Sequence, residues 1–159
     1  MPYSIRYRFS QRFNVSARKA YMWCTEYSPE DPMLMGDVAA ERQITQLTDS
    51  TIILTDFFHT SSGPVEKKKL VQLYPERLSW ISTHLTGPNK HSQFIYEISA
   101  EGKDASRLDF TALHLEYEKE KSSSVDVKLL AEKLRIEDSE AWKLLASAMT
   151  KELNAALKS

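Results

Sequence analysis

The stretch Ser92–Tyr117, SQFIYEISAEGKDASRLDFTALHLEY, decides the fold. Phe94, Tyr96 and Ile98 share one parity, and so do Leu108, Phe110, Ala112 and His114. A period of two marks a strand with one buried face. Glu101-Gly102-Lys103-Asp104 supplies a turn between the two runs. This hairpin sets Ile98 opposite Leu108, Tyr96 opposite Phe110 and Phe94 opposite Ala112. A slip of one residue would turn these aromatics to water, so the pattern enforces its own register.

The pattern extends upstream. Strand-like runs cover Glu41–Leu47, Thr51–His59, Val65–Leu73 and Arg77–Leu85, followed by Ser92–Ala100 and Ser106–Tyr117. Thr48-Asp49-Ser50, Ser61-Ser62-Gly63-Pro64, Tyr74-Pro75-Glu76 and Thr86-Gly87-Pro88-Asn89 punctuate them. Short gaps mean antiparallel hairpins, because parallel neighbours need a crossover of about a dozen residues or more. Leu78, Trp80, Ser82 and His84 share a face. A Pro88-Asn89-Lys90 loop sets His84 opposite Phe94 and Trp80 opposite Ile98. A two-residue Pro75-Glu76 turn sets Lys67 opposite His84.

At the start of the chain Tyr3, Ile5, Tyr7 and Phe9 alternate with Ser4, Arg6, Arg8 and Ser10, which gives a seventh strand. Ser16 is a good N-cap, and Val15 with Ala20 can form a hydrophobic staple. A helix from Ala17 to about Glu26 follows. Ser28-Pro29 opens a second short helix reaching Met35 and ending at Gly36. After Tyr117, Glu118–Ser124 reads as a loop. Val127–Leu134 is helical, and Ile136–Leu157 is the longest helix, with Trp142, Leu145, Met149 and Leu153 on one stripe. Asp138, Ser139 and Glu140 suit a helix start, so a break or kink is expected near Ile136.

This order resembles the START-like superfamily, also called SRPBCC, with its polyketide cyclase/dehydrase and birch-pollen-allergen relatives. The resemblance covers essentially the whole chain, residues 1–159, read as one domain. Phe13-Asn14-Val15-Ser16-Ala17 enters the first helix as in that family. Tyr96-x-Ile98 followed by Ser106-Arg107-Leu108-Asp109-Phe110 looks like its last hairpin. The segment Glu118–Arg135 is longer than the family's usual link. The resemblance implies an α+β helix-grip fold: a curved antiparallel seven-stranded sheet wrapped around a long C-terminal helix, with two short helices after the first strand. It further implies an apolar cavity between sheet and helix for a lipid, sterol or polyketide-like ligand, and no catalytic signature accompanies it.

Composition narrows the classes. Hydrophobic residues make 42% of the 159 positions and charged residues 27%, an ordinary globular balance. Lys and Arg total 21 against 22 Asp and Glu, for a formal charge of −1, so nothing electrostatic favours nucleic acid or an anionic membrane. The one cysteine, Cys24, permits no intrachain disulfide and no cysteine-based metal site, and reads as a small buried hydrophobe. Met1–Arg8 has no apolar run after its charges, so no secretory signal is expected. No run approaches about 18 apolar residues, so integral membrane association is not expected. The resulting expectation is a cytoplasmic protein without cofactor.

Each candidate site residue has a plainer alternative. His84 and His114 share the inner parity, where they could orient a ligand or move a proton, or could be hydrogen-bonded or wet histidines at strand ends. No triad partner or nucleophile is visible in sequence, which favours the second reading. Asp56 and His59 point to opposite faces of a strand and cannot share an ion, so no metal is expected. Arg42 falls opposite Asp56, either as an inward polar anchor or as an outer cross-strand pair worth about 0.2–1 kcal/mol. Lys67 and Lys69 share the inner parity, for an anion contact at a cavity mouth or for solubility. Met33, Leu34 and Met35 suit either a cavity entrance or ordinary packing.

The sequence therefore leads to a binding protein for a small hydrophobic or amphipathic molecule. Its expected lining is Phe58, Trp80, His84, Tyr96, Phe110, Ala112 and His114 from the sheet, with Met149 and Leu153 from the helix. Tyr96 and His84 are the preferred polar contacts. The alternatives are a polyketide cyclase/dehydratase-type enzyme using His84, His114 or Asp56, and an interaction module without a cavity.

Overall fold

A computed structural model describes residues 3–31, 40–117 and 126–157. Strand β1 (Tyr3–Phe13) leads to helix α1 (Ala17–Thr25). Strands β2 (Ala40–Thr48), β3 (Thr51–Thr60), β4 (Gly63–Tyr74), β5 (Ser79–His84), β6 (Gln93–Ala100) and β7 (Ser106–Glu116) follow, and helix α2 (Val127–Leu157) closes the order. All seven strands join one antiparallel sheet in the order β1-β7-β6-β5-β4-β3-β2. Its first and second strands are the two edges. The sheet is therefore a meander from β2 to β7, with β1 added beside β7.

Local chemistry accounts for the helices. The Ser16 hydroxyl accepts from the Lys19 amide at 3.4 Å, and the carbonyl of Ser16 starts the ladder by accepting from Ala20. At α2 the cap is Asp126, whose Oδ1 accepts from the amides of Lys128 and Leu129 at 3.0 and 3.2 Å. The expected break near Ile136 is absent: α2 runs unbroken for 31 residues, with neither Gly nor Pro to interrupt it. Asp138 lies inside the helix, and its Oδ2 accepts from the Tyr7 hydroxyl. Of the expected second short helix only the first turn is described, with the Glu30 amide on Ser28 Oγ and the Asp31 amide on the Ser28 carbonyl. Met33, Leu34, Met35 and Glu118–Ser124 lie outside the described residues.

Helix α2 lies across the concave face of the sheet. Trp142, Leu145 and Met149 are buried there with Phe13, Leu54, Val71, Trp80, Ile98 and Leu108. Each such side chain contributes about 1.5–3 kcal/mol when fully buried, and this burial holds the helix. A second cluster, Ile5, Tyr7, Phe94, Phe110 and Ala112, packs against the first turns of α2 through Leu130, Ala131 and Leu134. No described helix is long and apolar enough to cross a membrane.

The β6–β7 register is as expected, with Phe94↔Ala112, Tyr96↔Phe110 and Ile98↔Leu108. The pairings around β5 differ by two residues. Trp80 opposes Tyr96 and Ser82 opposes Phe94, while Lys69, not Lys67, opposes His84. Longer turns are the cause. Pro75–Arg77 forms a 3-10 turn that Leu78 closes in the left-handed region at φ 49°, so four residues replace the expected two. Past His84, the chain stays with β4. The Leu85 amide donates to the Lys68 carbonyl at 2.7 Å, and Thr86 Oγ1 accepts from the Lys68 amide. Pairing with β6 begins at Ser92, whose carbonyl accepts from the His84 amide. Both shifts are even, so every side chain keeps its face.

Candidate functional site

The strands β2, β3 and β4 bring three charged side chains inward. Arg42 Nε and Nη2 donate to Asp56 Oδ1 and Oδ2 at 2.7 and 3.0 Å, and Lys69 Nζ stands 3.2 Å from Asp56 Oδ2. The Arg42 and Asp56 side chains are only 7% and 1% exposed, which makes this pair the inward anchor rather than an outer one. Arg42 also reaches Asp31 at 3.4 Å. Burial pushes the Asp56 carboxyl up, but the Arg42 hydrogen bonds and the Lys69 charge outweigh it and hold Asp56 below the usual range. Burial wins at Lys69, whose ammonium is pulled below the ordinary lysine range despite Asp56.

Around this network the space between sheet and helix is divided in two. A compartment of about 100 Å³ lies toward α1, lined by Trp23, Cys24, Tyr27, Arg42 and Trp80 among others. Burial drives the Cys24 thiol well above its ordinary value, so it is not a thiolate nucleophile at neutral pH. The other compartment, about 240 Å³, lies between β1 with β4–β7 and the first half of α2. Lys69, Tyr96 and Trp142 border both and form the partition. The Tyr96 ring stacks on Trp80 at 4.7 Å with an interplanar angle of 3° and packs edge-on to Phe110.

The larger compartment has an aromatic body and polar ends. Phe94, Phe110 and Trp142 supply the body. On the helix side, the Tyr7 hydroxyl donates to Asp138. Burial raises the Asp138 carboxyl more than Tyr7 and His114 lower it. On the sheet side, His84 Nδ1 lies 3.3 Å from Asn89 Oδ1, and His114 Nε2 lies 2.6 Å from Glu116 Oε1. His84 is pushed down to about 4, by burial first and then by the nearby Lys69 charge, so it is neutral at physiological pH. Lys67 also lines this end, with its ammonium 5.2 Å over the Phe58 ring. Gly87, at φ +99°, packs against the Lys67 stem. A Cβ there would stand 3.3 Å from Lys67 Cγ, so glycine serves both the turn and the approach.

Of the nine residues expected to line a cavity, the structure brings His84, Tyr96, Phe110 and His114 to the larger compartment and Trp80 with Tyr96 to the smaller. Phe58 lies under the Lys67 ammonium. Ala112 is buried between Tyr7 and Phe94 on the neighbouring strands, and Met149 lies in the core with Leu153 packed on its edge. These four border neither compartment. Sequence reasoning missed Tyr7 and Asp138. The signal for Asp138 was present, since it precedes Trp142 by four residues and so shares the inner stripe of α2. Among the described residues no cluster of His, Cys, Asp and Glu is arranged to hold a metal ion.

No protein-family model matches this chain, and no curated protein matches it. Solved structures do. The Zhui aromatase/cyclase from a Streptomyces species superposes with a TM-score of 0.76 at 9% identity, covering 97% of this chain and 98% of that one. Norcoclaurine synthase from Thalictrum flavum gives 0.69 at 12% identity over 94% and 88% of the two chains. A START superfamily protein from Mycobacterium smegmatis gives 0.68 at 14% identity over 92% and 98%. The chain therefore has the START-type helix-grip fold, and at such identities the likeness speaks for the fold alone.

Proposed function

We propose that this protein binds a small amphipathic molecule in the larger compartment. One observation carries the reading: polar atoms lining an aromatic, helix-covered space have no hydrogen-bond partner among the described residues. The Tyr96 hydroxyl makes no such bond, and His84 bonds through Nδ1 only, leaving Nε2. Neither atom is sealed in the core, so both face space that a ligand can enter, which favours a binding site over an interaction module without a cavity. The volume of about 240 Å³ is below the ~300–1,000 Å³ of pockets for drug-sized ligands. Within the range from lipid and sterol to polyketide-like compounds, this favours a molecule of one or two rings. The fold is shared with an aromatase/cyclase, and the Tyr7–Asp138 pair would be the proton-handling group of the enzymatic reading.

Native mass spectrometry of freshly purified protein tests the proposal. The expected result is a bound organic molecule that is lost on widening the cavity mouth or on unfolding. A homogeneous ligand-free mass, with no melting shift from a panel of one- and two-ring compounds, would refute it.

A further inference from the structure

The charges around the larger compartment are not evenly shared. Its titratable lining consists of Tyr7, Lys67, Lys69, His84, Tyr96, His114 and Asp138. Asp138 is at the helix side and already accepts from Tyr7. On the sheet side, Lys69 has only Asp56, and that carboxylate is shared with the bidentate Arg42. Lys67 forms no ion pair among the described residues and is held by a ring and a glycine instead of a carboxylate. Next to it His84 presents Nε2, whose Nδ1 partner is Asn89. Two lysines and a histidine thus line one aromatic compartment, and Asp56 is the one carboxylate paired with either lysine among the described residues.

We propose that the ligand carries a carboxylate, held among Lys67, Lys69 and His84, with its ring lying against Phe94, Phe110 and Trp142. The inference rests on the binding reading above and names its chemical class. A carboxylate suits the place because two lone-pair faces can meet an ammonium and a ring N–H together, and charge-assisted bonds are stronger than neutral ones. The depressed titration of His84 agrees with a positive local field, since the Lys69 and Lys67 charges, after burial, disfavour a protonated ring. The aromatic residues opposite exclude water from the bond and so strengthen it.

The probes are 2-naphthoate and its neutral isostere 2-naphthylmethanol, titrated by calorimetry into the full chain. We expect naphthoate to bind at least about tenfold more tightly, the low end for a hydrogen bond to a charged group. Lys67→Gln should remove most of that preference, and Lys67→Arg should keep it. Lys67 is half-buried and forms no ion pair among the described residues, so both variants, which keep its long stem, are expected to melt within a few degrees of the wild type. Equal binding of the two probes to the wild type would overturn the carboxylate inference and leave the cavity reading standing. A preference undiminished in Lys67→Gln would overturn the assignment of Lys67. Failure of both probes on folded protein would overturn the cavity reading and this inference with it.

Discussion

Replacing His84 with glutamine should flatten the acid side of the stability curve. His84 is 8% exposed, and its folded-state value is about 4 against 6.5 for an unperturbed ring. Folding therefore favours the neutral ring. Between these two values the unfolded chain binds more protons than the folded one, so stability rises with pH across the window. The contribution is fully present above about 6.5 and disappears as pH falls through about 4. At about 1.36 kcal/mol per unit, the full displacement is worth about 3 kcal/mol. Asp56, held below 3.8, loses its own contribution only at lower pH and leaves this window unaffected. The assay is urea unfolding of wild type and His84→Gln at several pH values from about 7.5 to about 4.5. Glutamine also alters the Asn89 and Phe94 contacts, which offsets the whole curve without changing its slope. The wild type should lose about 2–3 kcal/mol more than the variant over the window. Parallel curves would show that His84 titrates normally and that its surroundings are neither dry nor positive.

Asp56→Asn should cost about 3–5 kcal/mol in urea unfolding, because the buried Lys69 then loses its paired carboxylate and Arg42 keeps only Asp31; a loss below about 1 kcal/mol would contradict the inward network. Replacing the three together, Arg42→Met, Asp56→Leu and Lys69→Met, should recover much of that loss, since an apolar replacement removes every charge of the network at once. Ala112→Phe should lower the melting temperature by overpacking, at about 1–3 kcal/mol, because Ala112 is 1% exposed between Tyr7 and Phe94; unchanged stability would mean that space adjoins it. Truncation after Ile136 removes Trp142, Leu145 and Met149, whose burial at about 1.5–3 kcal/mol each rivals a typical total stability of ~5–15 kcal/mol. Near-UV circular dichroism should then show no fixed aromatic packing, and a cooperative melt of the truncated chain would refute the gripped helix.

Much of this molecule is legible in one dimension. Alternation along Phe94-x-Tyr96-x-Ile98 and Leu108-x-Phe110-x-Ala112 assigns faces, and helical spacing of Trp142, Leu145 and Met149 assigns the stripe that the sheet grips. Faces survive errors in register because the side-chain period is two: the shifts of two residues at β4–β5 and β5–β6 left Trp80 and His84 inside. Which residue lies opposite which was settled by the turns, where Leu78 adopts a left-handed backbone and Leu85 stays bonded to Lys68. Arg42 opposite Asp56 was readable, but both faces of β3 carry apolar residues, and only packing of the sheet onto α2 chose the inner one. Tyr7 and Asp138 are 131 residues apart, and nothing local to either announces the other. The division of the interior into two compartments belongs wholly to the tertiary structure. Sequence periodicity says which way a side chain points, whereas a cavity is the space left over when side chains from five strands and two helices meet, and an unpaired polar atom is defined only by all its neighbours at once.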